Sequence, residues 1–208
     1  MSVRIKICGL TRPEDVDAAV VAGADAVGFV FYPQSPRYVS PEQAAALMRR
    51  LPPFVLAVGL FVNAAPAEIE AALDVAPLNL LQFHGDESPE ACGRWARPYI
   101  RAARVTPELD LLQYATRFSS ARALLLDAFV PGFGGGGKVF DWSLIPPALP
   151  LPLVLSGGLN AENVGDAVRR VRPAAVDVSS GVESAPGVKD HQRMADFVAS
   201  ARLSGNRS

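Results

Sequence analysis

The sequence predicts an α/β protein, a single-domain (β/α)8 barrel of the TIM type, on the strength of three observations. Short β-branched or leucine-rich runs alternate with alanine-rich amphipathic stretches along all 208 residues. Eight such pairs follow one another without a linker or a shift in composition. Polar residues recur where the apolar runs end. Such alternation predicts a parallel sheet, and eight units favour a closed barrel, with a doubly wound open sheet as the alternative.

The apolar runs and the stretches between them define the predicted elements. Strands are expected near 3–8, 26–31, 55–61, 80–83, 99–105, 123–127, 153–156 and 176–179. Helical segments are expected near 13–22, 41–50, 66–75, 89–96, 107–116, 142–145, 161–171 and 191–203. Several of these begin with proline and carry a glutamate in the first turn, which favours a helix N-terminus. Residues 1–208 are therefore predicted to form one barrel domain, with a disordered tail in the last few residues.

Composition excludes several classes of function. Half of the residues are hydrophobic and the net charge is −1, so no basic patch predicts a nucleic-acid partner and no acidic tail predicts a solvated arm. The apolar runs fall well short of the roughly 20 residues of a membrane span, and no signal-peptide pattern opens the chain. We therefore expect a cytoplasmic protein without a membrane partner. Cys8 and Cys92 are not expected to form a disulfide, and with two histidines they give no metal-ligand spacing.

The segment from Leu124 to Trp142 admits two interpretations. An apolar run ends on Asp127, and a loop follows that contains five glycines and Lys138. This loop is either a nucleotide-binding P-loop or a loop that covers a substrate beside a catalytic aspartate. Val139 stands where a P-loop has the hydroxyl residue that holds Mg²⁺. The sequence therefore favours a substrate-covering loop next to Asp127.

Polar residues occur at the carboxyl ends of four predicted strands, although a strand in a parallel sheet should be apolar on both faces. Because side chains alternate along a strand, several of these residues share one face. They are Lys6 with Cys8, Gln82 with His84, Asp177 with Ser179, and Asp127 at the end of its strand. The carboxyl ends of all strands meet at one mouth of a barrel. The pattern therefore predicts a site there.

Each of these residues also has a structural interpretation. Cys8 could be a small buried apolar residue, and His84 could be a hydrogen-bonded residue beside a turn. Asp127 could cap the segment that follows it, and Asp177 could be a structural partner of Lys6. Their common position at one end of the strands favours the functional interpretation for the set as a whole.

Two glycine-containing loops follow the seventh and eighth predicted strands. They are Ser156-Gly157-Gly158-Leu159-Asn160 and Ser179-Ser180-Gly181-Val182-Glu183. In (β/α)8 enzymes these two loops commonly bind a substrate phosphate through backbone N–H groups. Glycine allows the backbone to approach the phosphate oxygens. Two tight turns are the alternative, but the position of both loops predicts a phosphate site formed by Gly157, Gly158, Ser180 and Gly181.

Arg37 lies in a proline-containing loop after the second predicted strand, with Tyr32 and Tyr38 on either side. It could be a solvated surface charge. Its place on a loop at the barrel mouth makes it a candidate for binding a substrate carboxylate through two parallel hydrogen bonds. The neighbouring rings could stack on an aromatic ligand.

With these residues assembled, the chain resembles the phosphoribosylanthranilate isomerases of tryptophan biosynthesis from Val3 to about Val198. The motifs that carry the resemblance are Lys6-Ile7-Cys8-Gly9, Asp25-Ala26-Val27-Gly28-Phe29-Val30-Phe31, Ser35-Pro36-Arg37-Tyr38, Gly59-Leu60-Phe61-Val62-Asn63, Gln82-Phe83-His84-Gly85, Phe140-Asp141-Trp142, Leu155-Ser156-Gly157-Gly158-Leu159 and Asp177-Val178-Ser179-Ser180-Gly181-Val182-Glu183. The resemblance implies an enzyme without metal or cofactor that acts on a phosphorylated small molecule, as a monomer or homodimer. The expected reaction is an Amadori rearrangement of N-(5-phosphoribosyl)anthranilate to 1-(2-carboxyphenylamino)-1-deoxy-D-ribulose 5-phosphate.

The resemblance also implies roles for individual residues. Cys8 is the expected general base, Asp127 the general acid and Arg37 the group that holds the anthranilate carboxylate, with His84 as a further substrate-binding residue. The loop after the sixth strand departs from the family. The family usually has Ser or Thr where Gly136 stands, and often Thr at the position of Val139.

Two other functions are the alternatives. One is the related phosphosugar isomerase of histidine biosynthesis, or a dual-substrate version, which resembles this family but has an aspartate at the position of Cys8. The other is a barrel that binds a phosphorylated metabolite without catalysis. The presence of Cys8, Arg37 and Asp127 favours the tryptophan-pathway interpretation.

Overall fold

Eight parallel strands close into a barrel in the computed structural model, which describes residues 3–128 and 139–205. In chain order, β1 to β8 are Arg4–Cys8, Ala26–Val30, Leu56–Phe61, Leu80–Phe83, Tyr99–Val105, Ala123–Ala128, Leu153–Leu155 and Ala175–Val178. Each strand pairs with the next, and β8 pairs with β1 to close the ring. The predicted (β/α)8 barrel is confirmed, and the open doubly wound sheet is excluded.

Helices connect consecutive strands in the part of the chain that the structure describes. In order, α1 to α7 are Pro13–Ala22, Pro41–Met48, Pro66–Val75, Pro89–Gly93, Leu111–Arg117, Val164–Val171 and His191–Gly205. A 3₁₀ helix, Trp142–Leu144, precedes β7, and another, Ser180–Val182, follows β8. The first four α-helices begin at the predicted prolines. Ser40 caps α2 by accepting a hydrogen bond from the Gln43 N–H, as expected for this kind of N-terminus.

Two helices begin later than the sequence predicts, because a polar side chain binds backbone N–H groups near the start of each. α5 was expected from residue 107, but Asp110 Oδ1 accepts hydrogen bonds from the N–H groups of Leu112 and Gln113 and thereby caps the helix. α6 was expected from residue 161. Asn160 Oδ1 instead accepts from the Asn163 N–H at 3.0 Å and forms a turn before the helix.

Aliphatic side chains fill the barrel interior below its mouth. Ile100, Ala102, Ala123, Leu125 and Val154 form a buried cluster there. The outward faces of the strands pack against the helices in a larger apolar cluster that includes buried phenylalanines from several strands. Both faces of the strands are apolar over most of their length, and the buried charged side chains of Lys6, Arg101 and Asp177 are exceptions within the strands.

A small hairpin after β8 was not predicted. β9, Glu183–Ala185, pairs antiparallel with β10, Val188–Lys189. Thr11 Oγ1 donates to the Gly187 carbonyl at 2.6 Å, and Asp15 Oδ2 accepts from the Lys189 N–H at 3.1 Å. These bonds fix the hairpin against the start of α1. It therefore occupies a defined place beside the barrel mouth.

The predicted glycine-rich substrate cover, including Gly136, and the predicted disordered tail at 206–208 lie outside the described residues. Within the described ranges, no helix has the length and hydropathy needed to cross a membrane.

Candidate active site

A cleft at the carboxyl ends of the strands holds every site residue predicted from the sequence. About 720 Å³ of space lies within it, including the part open to solvent. The predicted residues that line it are Cys8, Arg37, His84, Asp127, Gly157, Gly158, Ser180 and Gly181. The structure therefore confirms that these residues, from different strand ends, come together in one cleft. Tyr32 and Ser35 of the Arg37 loop also line the cleft.

Cys8 is the last residue of β1 and is 4% exposed. Gly28 on the paired strand makes room for its thiol, because a Cβ at position 28 would lie 2.6 Å from Cys8 Sγ. Burial raises the pKa of the Cys8 thiol above its ordinary value, while the charge of Lys6 acts in the opposite direction. The positive charge of Lys6 favours the thiolate, but burial outweighs this effect.

Lys6 and Asp177 form a buried ion pair on the floor of the cleft. Lys6 Nζ donates to Asp177 Oδ1 at 2.8 Å, and both side chains are almost completely buried. Burial opposes the charge on Lys6, but attraction to Asp177, and to a lesser degree Cys8, raises its pKa. Ser156 Oγ donates to the other carboxylate oxygen at 3.3 Å. The structural interpretation of Asp177, as the partner of Lys6, is confirmed.

Asp127 lies near the end of β6 and contacts His84 from the loop after β4. His84 Nε2 lies 3.1 Å from Asp127 Oδ2, and His84 Nδ1 lies 3.0 Å from Gln82 Nε2. The other carboxylate oxygen of Asp127 accepts from the Ala128 N–H at 2.9 Å. His84 therefore orients an acidic group within the cleft, a contact that the sequence pattern did not indicate.

The two glycine loops approach each other closely. Gly157 and Gly158 have φ angles of 81° and 65°, in the left-handed region that favours glycine. A Cβ at Gly157 would lie 2.5 Å from Ala128 N and 3.0 Å from Asp127 Oδ1. A Cβ at Gly181 would overlap the Leu159 carbonyl oxygen. The loops are therefore more than generic turns, since their approach to each other and to Asp127 requires glycine.

Arg37 is paired with a carboxylate of the protein, Glu183. Its Nε donates to Glu183 Oε1 at 2.8 Å and its Nη2 donates to Oε2 at 2.7 Å. The Arg37 side chain is 11% exposed, which excludes a solvated surface charge. Lys189 Nζ donates to the same carboxylate at 2.8 Å. Glu183 was expected only as part of a phosphate loop, and no sequence signal pointed to Lys189 in this site.

The fold and the cleft together define a (β/α)8-barrel protein that presents a thiol, a carboxyl group and two glycine loops at the mouth of the barrel. The family model described as N-(5'phosphoribosyl)anthranilate (PRA) isomerase matches residues 5–200. The chain belongs to this family.

Proteins of similar sequence match this chain over nearly its whole length. The N-(5'-phosphoribosyl)anthranilate isomerase of Dechloromonas aromatica is 68% identical over 202 residues, which is 97% of either chain. The enzyme of that name from Thiobacillus denitrificans is 59% identical over 205 residues, which is 98% of this chain and 100% of the relative.

Solved structures of the family share the fold. The phosphoribosyl anthranilate isomerase of Thermotoga maritima has a TM-score of 0.90 at 49% identity and covers 97% of this chain and 99% of its own. A second structure of such an enzyme contains reduced 1-(o-carboxyphenylamino)-1-deoxyribulose 5-phosphate. It has a TM-score of 0.86 at 47% identity and covers 97% of this chain and 99% of its own.

Proposed function

We propose that this chain converts N-(5-phosphoribosyl)anthranilate to 1-(2-carboxyphenylamino)-1-deoxy-D-ribulose 5-phosphate in tryptophan biosynthesis, with Cys8 as base and Asp127 as acid. One observation carries the assignment of roles. Cys8 from β1 and Asp127 from β6 line the same cleft as the two glycine loops. A thiol and a carboxyl group beside an anion site are the groups that an aldose–ketose isomerisation of a sugar phosphate requires.

The substrate phosphate binds between the loops after β7 and β8. Gly157, Gly158, Ser180 and Gly181 offer backbone N–H groups at a position where barrel enzymes commonly bind phosphate. The left-handed conformations of Gly157 and Gly158 support this assignment, because they leave no side chain between the backbone and the oxygens. Fixing the phosphate orients the ribose across the cleft toward Asp127.

Ring opening comes first, because the C2 proton becomes acidic only next to an iminium carbon. Asp127 in its protonated form donates a proton to the ring oxygen as the C1–O bond breaks. The nitrogen lone pair then forms the C1=N bond. The hydrogen bond between His84 and Asp127 Oδ2 keeps the carboxyl group in place for this transfer.

Proton removal from C2 is the second step. The Cys8 thiolate takes the proton, and the C2–H electron pair forms the C1=C2 bond while the iminium becomes an enolamine. The enolamine then tautomerises to the ketone with a proton added at C1. Because burial raises the pKa of Cys8, the thiolate is a minor species at neutral pH and is a strong base when it forms.

Arg37 binds the anthranilate carboxylate at the other side of the cleft. Its buried guanidinium supplies N–H donors, and Tyr32 in the same loop lines the cleft where the aromatic ring would lie. The proposal thereby accounts for both anionic ends of the substrate, with the phosphate at the glycine loops and the carboxylate at Arg37.

Complementation tests the proposed function in a cell. A tryptophan auxotroph that lacks this isomerisation is transformed with the gene for the wild-type chain or with the Cys8→Ser gene. The wild type is expected to restore growth without tryptophan, and the variant is not. Absence of growth with a wild-type chain that is demonstrably expressed and folded would contradict the proposal.

We further propose a cytoplasmic enzyme that works as a monomer or homodimer. One solved structure from Thermotoga maritima is of monomers generated from a dimeric phosphoribosylanthranilate isomerase. Sedimentation of the purified chain distinguishes the two assemblies.

A further inference from the structure

We infer that Glu183 and Lys189 are positioning residues for Arg37. Glu183 holds one edge of the guanidinium so that the other edge faces the cleft, and Lys189 offsets the charge of Glu183 so that the cluster keeps a net positive charge for a substrate carboxylate. This inference rests on the proposed function and adds two residues to its recognition of the anthranilate end.

The geometry of the guanidinium determines which donors remain for a ligand. Glu183 accepts from Nε and Nη2, which are the two nitrogens of one edge. Among residues 3–128 and 139–205, no hydrogen bond to Arg37 Nη1 is found. A carboxylate in the cleft would therefore bind at the Nη1/Nη2 edge, in the plane that Glu183 defines.

The stem of Arg37 is fixed as well as its head group. Gly9 has a φ of 78°, and a Cβ at this position would overlap Arg37 Cδ. The Arg37 side chain therefore passes directly over the Gly9 backbone. With the stem packed on Gly9 and the guanidinium held by Glu183, little rotamer entropy remains to be lost when a ligand binds.

Charge explains why Lys189 belongs to the cluster. A buried Arg37–Glu183 pair alone would be neutral and would attract an anionic ligand weakly. Lys189 Nζ lies 2.8 Å from Glu183 Oε1 and also donates to the Ser179 carbonyl at 3.1 Å. Three charged groups, two positive and one negative, thus share a buried volume, and the sum is one positive charge beside the cleft.

The neighbours of the cluster favour an ionised Glu183, whereas for Lys189 they act in both directions. Burial acts to raise the pKa of Glu183, but Arg37 and Lys189 together hold it below its usual value. Burial lowers the pKa of Lys189 and the Arg37 charge adds to this effect, while attraction to the Glu183 carboxylate offsets part of it. The carboxylate is therefore ionised at neutral pH and needs the second cation.

The hairpin β9–β10 supplies both positioning residues. Glu183 opens β9 and Lys189 closes β10, and Asp15 and Thr11 bind the hairpin at the start of α1. Gly187 at its tip has a φ of 78°, and a Cβ there would lie 2.8 Å from the Pro36 carbonyl oxygen. The hairpin thus packs on the loop that carries Arg37 and fixes the position of this loop.

Two variants separate position from charge. Glu183→Asp keeps the charge but is one methylene too short to hold both Nε and Nη2 in the observed geometry. Lys189→Met keeps the Arg37–Glu183 pair but removes the offsetting charge. Calorimetry measures the Kd of the reduced product analogue and of the same compound with phenyl in place of 2-carboxyphenyl. The ratio of the two Kd values is the carboxylate selectivity.

Each variant is expected to lower the carboxylate selectivity about tenfold, because each weakens a charge-assisted interaction with the carboxylate. The affinity for the phenyl compound should change less than about twofold, since it does not use Arg37. In an Arg37→Met background, neither substitution should lower the selectivity further. A purely structural role would weaken both ligands equally and would not depend on Arg37.

A matched control is Glu87→Gln, which alters another buried carboxylate. Glu87 accepts from Arg101 Nη1 at 2.6 Å and is not part of the cleft lining. This variant is expected to lower the thermal stability while it leaves the carboxylate selectivity unchanged.

A carboxylate selectivity within about twofold of the wild type in both variants would overturn the inference. A loss of selectivity in the Arg37→Met background as large as the loss in the wild-type background would also overturn it. If one variant does not fold, the other still tests its own claim: Glu183→Asp tests the positioning of the guanidinium, and Lys189→Met tests the offsetting charge. Turnover of phosphoribosylanthranilate by the wild type is measured in parallel. A wild type without turnover contradicts the proposed function, whereas normal turnover with unchanged selectivity in the variants contradicts this inference alone.

Discussion

His84 Nε2 lies 3.1 Å from Asp127 Oδ2, so an imidazole and the expected general acid share one hydrogen bond. On the other side of the ring, Nδ1 lies 3.0 Å from Gln82 Nε2, and Gln82 Oε1 has no partner among the described residues. The orientation of the Gln82 amide decides which ring nitrogen carries the proton. With Oε1 toward Nδ1–H, Nε2 would accept the proton of a protonated Asp127, which is the state that ring opening needs.

The His84–Asp127 contact predicts a graded effect of substitution. His84→Phe should lower kcat about twofold to tenfold, since a hydrogen bond between neutral groups contributes about 0.5–1.5 kcal/mol. His84→Gln places an amide near the position of Nε2 and should retain more of the activity. Steady-state kinetics of both variants measure the difference. Equal kcat values for His84→Phe and the wild type would exclude a role in positioning Asp127.

Cys8 should react with alkylating reagents at higher pH than a free cysteine does. Burial raises the pKa of its thiol, so the thiolate forms above the ordinary range. The rate of inactivation by iodoacetamide is measured as a function of pH, with N-acetylcysteine as the free-thiol reference. The pH at which this rate reaches half of its maximum is the midpoint.

Cys92 should not contribute to this alkylation, because it is completely buried and burial raises its pKa to about 12. Cys8→Ser serves as the control and should lose the labelling. A midpoint at or below that of N-acetylcysteine would mean that the positive charge of Lys6 outweighs burial.

Lys6→Met should destabilise the protein strongly. The substitution leaves Asp177 buried without its cation, and breaking a buried ion pair in this way costs about 3–5 kcal/mol. Denaturant unfolding measures the loss. The matched control is Arg4→Met on the same strand, whose pair with Asp25 is exposed and should contribute less than about 1 kcal/mol. Similar losses in the two variants would show that burial of the Lys6 pair carries no special cost.

Gly181→Ala should weaken phosphate binding, because a Cβ at this position would overlap the Leu159 carbonyl oxygen and separate the two loops. Because one or two backbone donors would be lost, KM should rise at least about tenfold, and inorganic phosphate should inhibit more weakly. Gly93→Ala is the control. Its Cβ would meet nothing closer than Ser120 Oγ at 3.8 Å, and alanine should stabilise α4 by about 0.5–1 kcal/mol. Unchanged phosphate inhibition in Gly181→Ala would contradict the loop assignment.

Local sequence signals were sufficient to predict the barrel. The eight strands are short apolar runs, and their predicted ends differ from the observed ends by no more than one residue. This accuracy follows from the physics of a buried parallel strand, which is mostly apolar on both faces and therefore stands out from the polar loops on either side. Cys8 and Asp127 could be found for the same reason, since each is a polar or reactive group at the end of such a run.

The sequence pattern could not predict ion-pair partners that are far apart along the chain. Arg37 and Glu183 are 146 residues apart, and Lys189 reaches their ion pair from a strand of two residues. Strands this short carry no periodicity, so the hairpin could not be predicted. The starts of α5 and α6 differ from the prediction because Asp110 and Asn160 accept backbone hydrogen bonds there, which the nearby proline and alanine do not reveal.

The loss of phosphoribosylanthranilate fluorescence on addition of the purified protein tests the central claim most directly. The wild type should abolish the fluorescence, whereas Cys8→Ser and Asp127→Asn should each lower kcat at least about a hundredfold, as expected when a general base or acid is removed. Circular dichroism verifies that both variants are folded. Unchanged fluorescence with the wild type, or near wild-type turnover in either variant, would contradict the account.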